Sequence, residues 1–140
     1  MLYLDTSLLV SAFAREPQTP RIQQWLREQD TDELTISDWG IAEFSSALSI
    51  KLRTGNIGLA ARAEALGLFN RFCGATFTIL PVSRAGFRMA ARFSDQHIHG
   101  LRASDALHLA IAAEHGATLC TRDRPLSDAT TNLGLKALLV

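Results

Sequence analysis

The sequence has only two cysteines, Cys73 and Cys120, in 140 residues. Disulfide scaffolds concentrate more of them in shorter chains, so two free thiols in a reducing compartment are expected. No apolar run approaches the roughly 20 residues that a membrane-spanning helix needs. No leader precedes the first apolar run, "LYLD", so the expectation is a cytoplasmic protein without a membrane anchor. Lysine is nearly absent (Lys51 and Lys136 only), and arginine carries the positive charge. Neither sign is in excess, since Lys+Arg and Asp+Glu both total 14. A polyanion could therefore be held only by a local basic patch. Repeats, low-complexity tracts and linkers are also missing. A chain of this length, 47% hydrophobic, can bury one core, and a single domain over 1–140 is expected.

What is present alternates. Short apolar runs at 2–5, 34–37, 76–80, 117–121 and 136–140 predict strands. Helical periodicity between them predicts helices over 7–14, 20–29, 38–54, 59–73, 84–95 and 103–115. Thr19 is the expected cap of the second, with Pro20 at its first position. Ser37 or Asp38 is the expected cap of the third, and Gly55 and Gly116 are the expected stops. Strands alternating with helices predict an α/β sandwich around a mostly parallel sheet.

Four carboxylates fall where solvent is not expected. Asp5 ends the first strand in "MLYLDTS", and Asp123 follows the fourth in "TLCTRDRPL". Glu43 sits among apolar residues in "WGIAEFSSAL", and Asp105 does so in "LRASDALHLA". An unpaired carboxylate in such a setting costs several kcal/mol or loses its charge. Each has a structural alternative: Asp5 and Asp105 could cap helices, Glu43 could pair with Arg53 or Arg102, and Asp123 could form a turn. Yet the carboxyl ends of strands are where open α/β sheets build sites. Converging carboxylates repel unless a cation joins them, and oxygen-only ligands suit Mg²⁺ or Mn²⁺. Such clusters serve phosphodiester chemistry, where the metal activates water and offsets phosphate charge.

In order and spacing, "YLDTS", the Ala-Glu-Phe of the third helix, "R-x-S-D-A-L-H-L-A" and "T-R-D" resemble the PIN domain. The length and N-terminal start are similar to the VapC toxins of bacterial type II toxin–antitoxin pairs. The resemblance spans essentially the whole chain. It implies a three-layer α/β/α fold and a Mg²⁺-dependent endoribonuclease site, with Mn²⁺ as a substitute. The implied site acids are Asp5, Glu43, Asp105 and Asp123, of which Asp5 and Asp105 are the direct metal ligands. Thr6 and Thr121 are implied to orient carboxylates or metal-bound water, with Ser104 a neighbour. A VapB-type antitoxin, an RNA substrate, a homodimer and a toxin–antitoxin hetero-oligomer are the implied partners.

For the fourth acid, Asp123 is preferred to Asp128 because it directly follows the strand. Arg102, one turn before Asp105, reads either as its charge partner or as a phosphate contact. His108 shares a helix face with Asp105 and reads as a packed or hydrogen-bonded core histidine before a general base. His97 and His99 lack a third soft ligand and read as surface loop. Arg84, Arg88 and Arg92 form a stripe that is either a solvated face or an RNA backbone contact. Trp25 and Trp39 read as core, although the resemblance places antitoxin contacts near Trp25. Aspartyl-phosphate phosphatases also begin with a strand-end aspartate, but they need a second one where this chain has Ser7. The remaining alternative is a non-catalytic nucleic-acid or protein binding module on the same fold.

Overall fold

A computed structural model describes residues 1–140 and shows five strands and seven α-helices. Their order is β1 (Leu2–Leu4), α1 (Thr6–Phe13), α2 (Thr19–Arg27), β2 (Leu34–Ser37), α3 (Asp38–Arg53), α4 (Leu59–Ala75) and β3 (Thr78–Leu80). Then come α5 (Arg84–Asp95), α6 (Ala103–Glu114), β4 (Thr118–Thr121), α7 (Arg124–Asn132) and β5 (Ala137–Leu139). The sheet order is β3-β2-β1-β4-β5, and every neighbouring pair is parallel. Parallel neighbours need crossovers, and right-handed crossovers in opposite directions place their helices on opposite faces. From β1 the chain moves one way to β2 and β3 and then returns past β1 to β4 and β5. Two helix layers therefore enclose the sheet, which is the three-layer α/β/α arrangement.

The burial pattern follows from this. Adjacent β1 residues point to opposite faces, and both Tyr3 and Leu4 are fully buried. Leu4 joins the core under α1–α4, where Phe13, Phe44, Phe69 and Phe77 meet; the Phe44 and Phe69 rings stack 4.0 Å apart. Tyr3 joins the second core with residues of α5, α6 and α7. Trp25 packs against the first core and Trp39 against the second. No helix is long and apolar enough to cross a membrane.

Two local expectations are corrected. Thr19 lies inside α2 and does not cap it, because its hydroxyl donates to the Ser11 carbonyl (2.7 Å) and accepts from the Glu16 N–H (2.9 Å). Helix α7 was not expected, since Ser, Asp, Thr and Asn are weak helix formers. It forms because Asp123 caps it, Pro125 is tolerated in its first turn, and Leu126 and Ala129 are buried. Elsewhere Ser37 caps α3 through the Gly40 N–H (3.1 Å), and α3 and α6 end at Gly55 and Gly116 with positive φ. His97 and His99 lie in a one-turn 3-10 helix between α5 and α6.

Candidate active site

The sheet's change of winding direction lies between β1 and β4, and a crevice outside the carboxyl ends of these strands follows from it. Asp5 stands one residue beyond β1 and Asp123 two beyond β4. Both cap the helices they precede: Asp5 Oδ1 accepts the Leu8 N–H at 2.9 Å, and Asp123 Oδ1 accepts the Leu126 N–H at 3.0 Å. Capping and a site role are thus compatible for this pair. Glu43 reaches the same crevice from α3 and Asp105 from the first turn of α6. All four line one cleft of about 250 Å³, together with Thr6, Ser7 and His108. Two larger cavities, about 420 and 450 Å³, contain no carboxylate.

The four acids are not equivalent. Asp5 is 3% exposed and receives three hydrogens besides facing the cleft. They come from the Leu8 N–H, from Ser7 Oγ (2.7 Å) and from Thr121 Oγ1 (2.5 Å). A carboxylate has about four acceptor sites, so one remains. Burial raises its pKa, opposed by His108 when that ring is charged and by the hydrogen bonds from Thr121, Leu8 and Ser7. Thr121 also accepts the Asp123 N–H (2.9 Å) and so ties the two strand ends together.

Glu43 pairs with neither Arg53 nor Arg102. Its Oε2 accepts from Thr6 Oγ1 (2.7 Å) and lies 2.5 Å from His108 Nε2. Burial would raise its pKa, but hydrogen bonds from His108 and Thr6, with the attraction of His108 when that ring is charged, outweigh that and lower it.

Asp105 does not cap α6. The capping position is Arg102, whose side chain makes no capping bond and no ion pair with Asp105. Nor does Asp105 serve as acceptor to any other side chain. Its pKa is raised by burial first and then by the charge of Asp123, opposed by His108 when that ring is charged, and raised further by Glu43 and Asp5. This half-buried carboxylate faces three others with no ion-pair partner of its own, and neither lysine nor arginine lines the cleft.

That charge balance is the test for a metal. The donors are hard oxygens whose mutual repulsion no lysine or arginine relieves, which fits a divalent cation. No three acidic, histidine or cysteine side chains are close enough to ligate one ion together. Mg²⁺ commonly keeps several waters and takes one or two carboxylates, so a pair suffices. Asp5, with one acceptor site left, and Asp105, with all of its own, are the two carboxylates that would hold such an ion.

Asp128 is exposed on α7 and outside the cleft. Asp128→Asn is expected to leave cleavage activity within about twofold of wild type, measured on the same substrate as Asp123→Asn, which should lose at least ~10-fold. Ser104 is also elsewhere, lining an apolar groove with Trp39 and Phe87. Sequence reasoning did not single out Ser7 or Tyr3. The signal for Ser7 was its place two residues after Asp5, where a hydroxyl can turn back onto a capping carboxylate.

The PIN domain family model matches residues 2–131. No curated protein sequence matches the chain. Among solved structures, FitAcB from Neisseria gonorrhoeae aligns with a TM-score of 0.73 at 21% identity, covering 99% of this chain and 96% of that one. VapC20 of Mycobacterium tuberculosis, a sarcin-ricin-loop-cleaving toxin, gives 0.74 at 14% identity, covering 100% and 98%. A toxin–antitoxin complex from Klebsiella pneumoniae gives 0.63 at 20% identity, covering 88% and 87%. At these identities the likeness is one of fold. The family match spans nearly the whole chain and agrees with the sheet order and the acidic cleft: the chain belongs to the PIN domain family.

Proposed function

We propose that this protein is a divalent-metal-dependent endoribonuclease and the toxin of a toxin–antitoxin pair. The observation that carries the reading is the convergence of Asp5, Glu43, Asp105 and Asp123 on one cleft that no lysine or arginine lines. Asp5 and Asp105 hold the cation. Mg²⁺, with Mn²⁺ as a substitute, supplies charge neutralisation at the phosphate and lowers the pKa of water. Glu43, kept ionised by its partners, takes a proton from the attacking water. Thr121 and Ser7 orient Asp5, and Thr6 orients Glu43. Arg102, exposed at the start of α6, is free to meet a phosphate. RNA as substrate and an antitoxin as partner are supported by the fold shared with VapC20 and with the Klebsiella pneumoniae complex. A homodimer is part of the same reading, as is a location in the cytoplasm.

The test is cleavage of a structured RNA by the purified protein, with and without EDTA. Activity should vanish in EDTA and return with Mg²⁺ or Mn²⁺. Binding of RNA without cleavage in Mg²⁺ would assign a non-catalytic binding module instead, and restoration by Zn²⁺ alone would overturn the hard-ligand argument.

Arg84, Arg88 and Arg92 are exposed along α5 and make no ion pair. If they meet the RNA backbone, each phosphate contact contributes about 0.7 to the salt slope of binding to a single strand. Reversing all three charges should raise KM and flatten that slope by about 2, read from cleavage across a salt series. An unchanged slope returns the stripe to a solvated face.

A further inference from the structure

His108 is 2% exposed on α6, and both of its ring nitrogens are engaged. Nδ1 lies 2.8 Å from the Tyr3 hydroxyl on β1, and Nε2 lies 2.5 Å from Glu43 on α3. The Tyr3 hydroxyl is also 2.7 Å from Ser37 Oγ at the end of β2. A buried chain of polar groups therefore runs from Ser37 through Tyr3 and His108 to the wall of the acidic cleft. The proton acceptor described above does not account for it.

The direction of the chain follows from counting hydrogens. Ser37 Oγ already accepts the Gly40 N–H as the cap of α3, and the Tyr3 oxygen is the one acceptor within reach of its own hydrogen. Tyr3 accepts from Ser37 and so donates to His108 Nδ1. A tyrosine hydroxyl, with an ordinary pKa of about 10, keeps this hydrogen at neutral pH. Nδ1 is then an acceptor, and the ring hydrogen sits on Nε2, directed at Glu43. The opposite direction would strand the Ser37 hydroxyl hydrogen without an acceptor at a residue with no exposure.

We infer that His108 is a positioning residue: Ser37 and Tyr3 fix it as the Nε2–H tautomer, and it holds the Glu43 carboxylate in one orientation facing the cleft. The logic is that of a metal-site histidine whose tautomer is set by the partner of its other nitrogen, here applied to a carboxylate. Thr6 completes the grip with its own bond to Glu43 and lies 3.1 Å from His108 Nε2. His108 lines the cleft at 2% exposure, and the cleft side chains it bonds are these two. Its loss should therefore affect turnover and not RNA binding. The catalytic consequence rests on the nuclease reading; the tautomer does not.

Two measurements test the inference. Nitrogen-15 NMR of the imidazole in metal-free wild type should show hydrogen on Nε2 alone; an Nδ1–H ring or an imidazolium at neutral pH overturns the inference. In kinetics, His108→Leu should lower kcat by about 10–100-fold with KM unchanged, the effect typical of losing an orienting partner. His108→Gln places an amide N–H near the position of Nε2 and should recover most of that loss. Tyr3→Phe should lower kcat less, again without moving KM. A folded His108→Leu variant with wild-type kcat, or a glutamine variant no better than leucine, overturns the role. Should wild type cleave no RNA at all, the nuclease reading falls, while the NMR result still decides the hydrogen-bond chain.

Discussion

Asp5→Asn is expected to lower kcat for RNA cleavage by about 100-fold or more while the protein stays folded. Loss of a partner of a metal ligand costs about 10–100-fold, and loss of a ligand's charge should exceed that. Asparagine is the informative substitution because Asp5 is also a helix cap. Its amide oxygen still accepts from the Leu8 N–H and Ser7, and its NH₂ can donate to Thr121 Oγ1. The displaced Thr121 hydrogen has an acceptor in Ser7 Oγ, 3.2 Å away. Removing a buried charge whose pKa burial has raised offsets part of any loss in hydrogen-bond strength. Initial rates at saturating Mg²⁺, with melting curves of both proteins, check the expectation. Activity within tenfold of wild type in a folded variant would remove Asp5 from the site.

Asp105→Asn is expected to raise the melting temperature of the metal-free protein and to abolish most of its stabilisation by Mg²⁺. The Asp105 carboxyl titrates above its ordinary range because of burial and the charge of Asp123. The native state therefore holds this proton more tightly than the unfolded chain does. Toward higher pH wild type bears the penalty of ionising Asp105 in the folded state. As pH falls through the folded-state pKa the penalty fades, and below the unfolded value near 3.8 it is gone. The variant bears no such penalty. It should melt higher at pH 7 by about 3 °C, what ~1 kcal/mol represents in a chain of this size once solvent screening at a half-exposed group is allowed for. That advantage should vanish in acid. Mg²⁺ at 100 times its Kd stabilises a folded site by about 2.7 kcal/mol, so wild type should gain strongly from metal and the variant little. No cap is lost, because Arg102 occupies the capping position. Calorimetry of both proteins at two pH values, with and without Mg²⁺, reads every sign. A variant that melts lower without metal and gains as much from Mg²⁺ would place Asp105 outside the cation site.

The alternation of apolar runs and helical periods was sufficient to read the α/β class, because periods of 2 and 3.6 residues are local properties of the chain. The two strand-end aspartates were legible for the same reason, since a carboxylate directly after an apolar strand marks the edge where sites form. Glu43 and Asp105 stood out through their apolar neighbours. Helix α7 was not legible: its residues are poor helix formers, and burial of Leu126 and Ala129 together with the Asp123 cap outweighs their local preference.

Tertiary structure decided which partner each acid has. Asp105 and Arg102 are close in sequence yet unpaired, whereas Glu43 finds His108 across 65 positions and Asp5 finds Thr121 across 116. Whether a carboxylate is relieved or left to repel its neighbours depends on which donors the sheet order brings within about 3 Å. The order β2-β1-β4 places Ser37, Tyr3 and Thr121 behind the cleft, and no local pattern encodes that order. The sequence alone therefore determined the class of fold and which acids are anomalous. The division of labour among them arose from long-range packing, because hydrogen bonds and charge repulsion act through space over distances that sequence spacing does not record.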